Sequence, residues 1–357
     1  MKKKKLLGIL PSYSAGGAEK IMITYFQNYE KRPFFLKLLI LNKLGPLKTK
    51  LVDAVEWNYK RLLYAIPKIL FQIKKNKFSV VYSTFPHITL VLIITKLLKL
   101  HSCYIVVRQP NMLFPSLNYS LKLRIIRFLY IKLINLADII IVTSQAMRYE
   151  ALQNNFNKKK IFLLPNPIDV RNIRKKICPA REKGKEVKLV FVGRLSYQKG
   201  LDRVLSLFSK VENLQLSIVG KGPQRKPLER LVEQNKLQDQ ITFCDFIPNP
   251  YNIIAGADYL LLPSRWEGMP NCVLESLALG TPVIAFKEIS ALNDFSFNIK
   301  NKTIILVKNE KALLSFFRNL RPRKDKSNPI LRKSLLRNPI SEVMYRKKLD
   351  KVISDLL

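Results

Sequence analysis

Two carboxylates, Glu267 and Glu275, stand with seven residues between them in the stretch that begins Pro263-Ser264-Arg265-Trp266. The apolar run Tyr259–Leu262 just upstream reads as a buried strand, and Pro263-Ser264 ends it. Pro270-Asn271 suits a helix start, Leu274, Leu277 and Ala278 recur at helical spacing, and Gly280 with Pro282 closes the helix. Glu267 then falls in the loop at the strand's carboxyl end, and Glu275 in the early turns of the helix. Backbone N–H groups and the dipole at a helix amino terminus favour a phosphate. Carboxylates beside such an anion socket suit a ligand that is diphosphate and polyol at once, and a nucleotide sugar is one. Taken singly, a Glu near a helix start is more often a solvated residue favoured by the dipole.

Three glycine-containing turns offer further contacts. In Phe191–Gly200, Gly193 follows an apolar strand and permits close backbone approach, while Arg194 and Lys199 supply two positive charges. Arg offers a planar fork for phosphate oxygens and Lys a flexible point charge, though a solvated basic loop reads the same way. Val219-Gly220-Lys221-Gly222-Pro223 ends the next strand. It lacks the third glycine and the acidic partner of a dinucleotide fingerprint, which argues against NAD. Near the amino end, Gly16 and Gly17 in Ser14-Ala15-Gly16-Gly17-Ala18-Glu19 join a strand to a helix, either as a plain turn or as an anion-facing loop.

Glu267-Gly268-Met269-Pro270-Asn271 followed by Glu275-Ser276-Leu277-Ala278-Leu279-Gly280-Thr281-Pro282-Val283-Ile284 resembles the carboxyl-terminal signature of family 4 glycosyltransferases, retaining enzymes of the GT-B fold. Gly193-Arg194 with Lys199-Gly200, the Gly220-Lys221-Gly222-Pro223 turn and the Gly16-Gly17-Ala18-Glu19 loop are similar to other elements of that family. The resemblance implies an α/β fold of two Rossmann-like domains with a central cleft. It implies that Glu275 binds ribose hydroxyls, that Arg194 and Lys199 neutralise the donor diphosphate, and that Glu267 faces the donor sugar. Gly16, Gly17, Gly193, Gly222, Gly268, Met269, Pro270 and Asn271 are the implied donor contacts. Side-chain cations replace a divalent metal in this scheme, so neither metal nor cofactor is expected. Whether Glu267 acts as nucleophile or only stabilises positive charge stays open. Many family members carry a histidine after the strand Tyr104–Val107, but the only histidines here are His87 and His101. Arg108 and Asn111 look like an Arg-x-x-Asn arrangement of related bacterial polysaccharide enzymes, which implies sugar or acceptor contacts. His87 reads more simply as a satisfied structural histidine.

A chain of 357 residues is long enough for two cores. Its 63 basic against 25 acidic residues give a net charge of +38, which points to nucleic acid, an anionic membrane or phosphorylated substrates. Residues 1–170 hold 28 Lys and Arg against 7 Asp and Glu, a net +21. The basic amphipathic stretches Lys60–Lys77 and Leu121–Asn135 suit an anionic bilayer surface, or are core-packed helices with solvated basic faces. The four cysteines form no CxxC pair, which fits a reducing compartment, with Cys103, Cys244 and Cys272 as small core residues. Lys2–Lys5 before Leu6–Leu10 lacks the apolar length and cleavage site of a signal peptide, and Ile88–Leu100 is too short and too charged to span a bilayer.

Alternating strands and helices argue a parallel α/β protein. Strands are expected at Leu6–Leu10, Leu36–Leu41, Val80–Ser83, Tyr104–Val107, Ile139–Val142, Ile161–Leu164, Lys188–Val192, Leu214–Val219, Ile241–Phe243, Tyr259–Leu262 and Pro282–Phe286. Helices are expected at Ala18–Glu30, Ile88–Leu100, Leu121–Asn135, Leu201–Lys210, Gln224–Gln234 and toward Ser341–Leu357, with an exposed loop at Arg321–Lys326. Pro165-Asn166-Pro167 breaks the pattern and places the domains at 1–168 and 169–340, with 341–357 a helix returning to the first. The expected activity is transfer of a hexose or N-acetylhexosamine from a nucleotide-diphosphate sugar to a lipid-linked or oligosaccharide acceptor, in O-antigen, capsule or exopolysaccharide assembly. Such an enzyme is cytoplasmic and peripheral on the inner face of the plasma membrane. A sugar-nucleotide epimerase of the same fold is the alternative. A nucleic-acid-binding protein also explains the charge, but no interleaved aromatic and basic reading surface is evident.

Overall fold

The computed structural model describes residues 3–14, 16–27, 32–48, 53–178, 186–295, 303–322 and 332–357. The far end of the expected first helix and most of the expected loop Arg321–Lys326 lie outside them. The chain divides into two compact units, Met1–Pro167 with Glu342–Leu357, and Ile168–Ser341.

The first unit holds β1 (Lys4–Ser12), β2 (Phe34–Asn42), β3 (Ala54–Glu56), β4 (Val80–Ser83), β5 (Tyr104–Arg108), β6 (Ile139–Val142) and β7 (Ile161–Leu163). They pair in the order β3-β2-β1-β4-β5-β6-β7, and every ladder is parallel. A parallel sheet needs cover on both faces, so its strands are continuous apolar runs rather than alternating ones; all four residues of β4 and of β6 are buried. Helices Leu62–Asn76, Pro86–Leu97 and Leu121–Leu133 send Ala65, Ile69, Ile93 and Tyr130 into one core with Leu7, Val81, Ile105 and Ile140. The shared core places these helices as one layer on one face of the sheet. Ser120 caps the last of them by accepting from Leu123 N.

Helix Glu342–Ser354 belongs to the first unit and buries Tyr345, Leu349 and Ile353. Asp350 accepts 2.8 Å hydrogen bonds from the Tyr25 hydroxyl and from Arg32. Arg32 also donates to the Tyr25 carbonyl and lies over the Tyr25 ring.

The second unit holds β8 (Val187–Val192), β9 (Leu214–Val219), β10 (Ile241–Cys244), β11 (Tyr259–Leu262), β12 (Val283–Phe286) and β13 (Ile304–Val307). Their order is β10-β9-β8-β11-β12-β13, again wholly parallel. Alternate residues feed two cores: Val190, Leu260, Leu262 and Val283 on one face, Leu189, Phe191, Leu261 and Ile284 on the other. The expected helix Leu201–Lys210 is instead two 3-10 stretches, Leu201–Arg203 and Leu205–Lys210. Tight i→i+3 bonds, such as Val204 N to Leu201 O and Leu207 N to Val204 O, turn Leu201, Val204, Leu205 and Phe208 into the core. Strands β3 and β13 and helix Glu310–Asn319 were not expected from the sequence.

Candidate active site

Strand order in the second unit reverses between β8 and β11, the two strands that start its two directions of winding. Ligands of open α/β sheets bind outside the carboxyl ends of strands at such a switch point. The two loops leaving β8 and β11 are joined there. Gly200 takes a left-handed φ of +66°, and a Cβ on it would lie 2.2 Å from the Pro263 carbonyl oxygen. Only glycine permits that approach. Arg265 N donates to Gln198 O at 2.8 Å, and Gln198 Nε2 donates to Trp266 O at 3.0 Å. Arg265 forks onto both carboxylate oxygens of Asp202 at 2.8 and 2.6 Å and lies over the Tyr197 ring.

This brace brings Lys199 and Glu267 together. Lys199 Nζ donates to Glu267 Oε1 at 2.6 Å, and the Ser264 hydroxyl donates to the same oxygen at 2.6 Å. Glu267 is 6% exposed. Among the described residues Oε2 of Glu267 accepts no hydrogen bond. Burial pulls the Lys199 pKa down, but the adjacent Glu267 carboxylate outweighs it and leaves the ammonium above its ordinary value. Arg194 is exposed and forms no hydrogen bond or ion pair among the described residues. The two expected diphosphate cations therefore differ in state: one is held by a carboxylate and one is open.

Helix Asn271–Ala278 begins directly after this loop, with Pro270 as its N-cap residue and the Pro270 carbonyl accepting from Val273 N. Gly268 is buried, and Met269 packs half-buried on the core. Glu275 is buried in the helix's second turn. Lys199, Glu267 and Glu275 each act electrostatically on the Cys272 thiol. Burial pushes that thiol up to about 12, with the two carboxylates adding and Lys199 opposing.

Other expected contacts have internal roles. Gly222 has no room for a side chain, since a Cβ would lie 2.2 Å from Leu195 O. Gly193 is less constrained, its nearest neighbour being the Phe191 ring at 3.3 Å from a Cβ. In the first unit, Gly16 caps helix Gly17–Phe26, and the Glu19 carboxylate folds back over it to accept from the Ser14 hydroxyl at 2.6 Å. Arg108 is 1% exposed and donates to Asn166 Oδ1 at 2.6 Å, with Tyr82 and Tyr345 close by. Asn111 serves its own loop, accepting from Met112 N and from Gln109 Nε2. Arg108 and Asn111 are not bonded to each other, and Arg108 Nε and Nη1 are buried without a hydrogen-bond partner among the described residues. His87 is exposed. It is His101 that is the satisfied histidine, bonded to Leu92 O and Cys103 N. Among the described residues no three His, Cys, Asp or Glu side chains cluster as a metal would require.

Sequence reasoning treated Ser264 only as a strand terminator and Cys272 only as core. The signal for Ser264 was present: a hydroxyl next to proline at a strand end, three residues before a carboxylate.

The paired parallel sheets define the class, the GT-B glycosyltransferase fold. HepE of Anabaena, solved in complex with UDP and glucose, matches with a TM-score of 0.78 at 16% identity, over 99% of this chain and 100% of that one. The chain belongs to the glycosyltransferases: residues 15–172 match the Glycosyltransferase Family 4 model and residues 172–320 the Glycosyl transferases group 1 model. The O-antigen biosynthesis glycosyltransferase WclY of Escherichia coli is 33% identical over 31% of this chain. The N-acetylgalactosamine-N,N'-diacetylbacillosaminyl-diphospho-undecaprenol 4-alpha-N-acetylgalactosaminyltransferase of Campylobacter jejuni is 25% identical over 57% of this chain. The matches span 33% and 56% of those two relatives' own lengths.

Proposed function

We propose that this chain transfers a hexose or N-acetylhexosamine, with retention at the anomeric carbon, from a nucleotide-diphosphate sugar to a lipid-linked or oligosaccharide acceptor of a surface polysaccharide. The observation that carries this reading is the Lys199–Glu267–Ser264 cluster at the switch point of the second sheet, beside a helix amino terminus. In this scheme Arg194 and Lys199 neutralise the diphosphate, Glu275 accepts from ribose hydroxyls, and Glu267 Oε2 is the oxygen left to accept from the sugar. The bond from the anomeric carbon to the β-phosphate oxygen breaks as the acceptor oxygen bonds to the same face, and the acceptor hydroxyl proton passes to the leaving phosphate oxygen. Cations fixed at the leaving diphosphate stabilise the charge that develops there. Two hydrogen bonds onto Glu267 Oε1 stabilise its anion and weaken it as a nucleophile. That favours acceptor attack from the leaving-group face over a glycosyl-enzyme.

Because side chains supply the cations, transfer is expected to proceed in excess EDTA. The names of the relatives, an O-antigen enzyme and one acting on a diphospho-undecaprenol substrate, support a membrane-borne glycan acceptor.

Nucleotide sugars are first screened for protection against thermal unfolding, since a ligand bound only by the folded state raises its stability. The best ligand, labelled in the sugar, is then supplied with undecaprenol-linked acceptors. Label moving to the lipid fraction supports the proposal; label returned as an isomerised nucleotide sugar replaces it with the epimerase reading. Intact-protein mass after donor alone is expected to show no sugar adduct, and an adduct on Glu267 would restore the nucleophile route.

A further inference from the structure

Among the described residues, the exposed large apolar side chains outside the first unit are only Tyr197 and Leu306. The rest lie in the first unit, and many stand on the outer side of the helical layer formed by Leu62–Asn76, Pro86–Leu97 and Leu121–Leu133. On the last of these, Leu121, Ile125 and Phe128 recur at helical spacing while 75%, 52% and 60% exposed. Leu63, Tyr64 and Phe71 do the same on Leu62–Asn76, and Ile94 and Leu97 continue the surface on the helix between. An ordinary amphipathic helix turns its apolar stripe to the core and leaves polar residues outside. These helices are apolar on both sides.

Their charges are of one sign. No Asp or Glu occurs anywhere between Glu56 and Asp138, whereas Lys68, Lys74, Lys75, Lys122, Arg124, Arg127 and Lys132 lie on the two outer helices. Several cations rest over exposed rings, Lys75 on Phe71, Lys132 on Phe128 and Arg127 on Phe114. In that posture the stem covers apolar surface and the head reaches for a polar layer. No helix among the described residues is long and apolar enough to cross a membrane. Apolar side chains that insert shallowly, ringed by Lys and Arg on helices that carry no acidic residue, match an anionic lipid surface in both hydrophobicity and sign.

We propose that this helical layer is a docking face for an anionic bilayer, entered by Leu121, Ile125 and Phe128 on one helix and Leu63, Tyr64 and Phe71 on another. The inference deepens the reading of a membrane-borne acceptor given above, but its test reads binding and not transfer. The full chain is sedimented with vesicles of phosphatidylcholine alone and of phosphatidylcholine mixed with phosphatidylglycerol, at low and raised salt. Binding is expected only to the mixed vesicles and is expected to weaken with salt. Lys122→Gln with Arg124→Gln should weaken it about fivefold per charge removed, and Ile125→Ser with Phe128→Ser by at least about tenfold. Unchanged melting of each variant shows that folding is intact, because these side chains are already exposed. Equal binding to neutral vesicles, or variants that bind like the parent, overturns the proposal. So does a parent that dimerises in the ultracentrifuge while Ile125→Ser/Phe128→Ser is monomeric, since the face then meets a second copy. Transfer to a soluble acceptor without vesicle binding sinks the docking face alone; vesicle binding without transfer sinks the function alone.

Discussion

Removing the Lys199 ammonium should strand a carboxylate that has little access to water. The pair's side chains are 16% and 6% exposed, and their contact is 2.6 Å. Breaking a buried pair by deleting one partner typically costs 3–5 kcal/mol, whereas replacing both partners by apolar groups is often neutral. Lys199 keeps some solvent and Ser264 still donates to Glu267, which argues for the lower end. Lys199→Met is therefore expected to destabilise the second unit by about 3 kcal/mol. Lys199→Met with Glu267→Met should stay within about 1 kcal/mol of the parent. Tryptophan fluorescence reports this cleanly, since the only tryptophans are Trp57 and Trp266, one in each unit. In a Trp57→Phe background, urea unfolding followed through Trp266 reads the unit that contains the pair. Two single substitutions whose costs simply add in the double would refute the coupling, as would a Lys199→Met cost below about 0.5 kcal/mol.

Arg194→Ala should leave stability unchanged, because the side chain is exposed and unbonded among the described residues. It should weaken a nucleoside diphosphate about tenfold or more in calorimetry, as expected for loss of a charge-assisted hydrogen bond, while a plain nucleoside binds as before. Gly200→Ala meets the Pro263 carbonyl at 2.2 Å in a left-handed backbone, so the Trp266 transition should lose about 2 kcal/mol or more; a loss under half of that refutes the junction. Raising pH should also weaken the second unit. Above pH 9 the unfolded Cys272 thiol ionises while the folded one, held up to about 12, keeps its proton. Lys199, also raised in the folded state, adds to the same trend as pH passes its ordinary 10.5. The folded state then binds more protons than the unfolded, so its stability falls. Cys272→Ala should flatten the first part of that decline. At neutral pH a thiol reagent should modify the exposed Cys178 and spare Cys272 and Cys103.

The central strands were legible because burial on both faces writes them as unbroken apolar runs: Val80–Ser83, Ile139–Val142, Leu214–Val219 and Tyr259–Leu262 match the structure residue for residue. Two of the four edge strands, β3 and β13, were missed. Ala54–Glu56 is three residues with a glutamate, and Ile304–Val307 pairs on one side only and leaves Leu306 exposed. The 3-10 stretches after Gly200 read as a helix because Leu201, Leu205 and Phe208 satisfy either period; core shape chose between them. At the site, the loop positions of Glu267 and Lys199 could be read locally, but their contact could not. It depends on β8 lying beside β11, with Leu189 opposite Tyr259 and Val190 opposite Leu260, and strand order is not a local property. Arg108 shows the same limit. Its place at the end of β5 was legible, yet Asn166 and Tyr345, which enclose it, come from far along the chain.

Synthesis runs from the amino end, and this gives helix Glu342–Ser354 a consequence in time. The Asp350 carboxylate that receives Tyr25 and Arg32, and the Tyr345 ring beside Tyr82, are translated after every strand of both sheets. A nascent chain paused before Glu342 can hold a finished β8–β13 sheet while the older β1–β7 sheet still waits for its last covering piece. The part made first is the part sealed last.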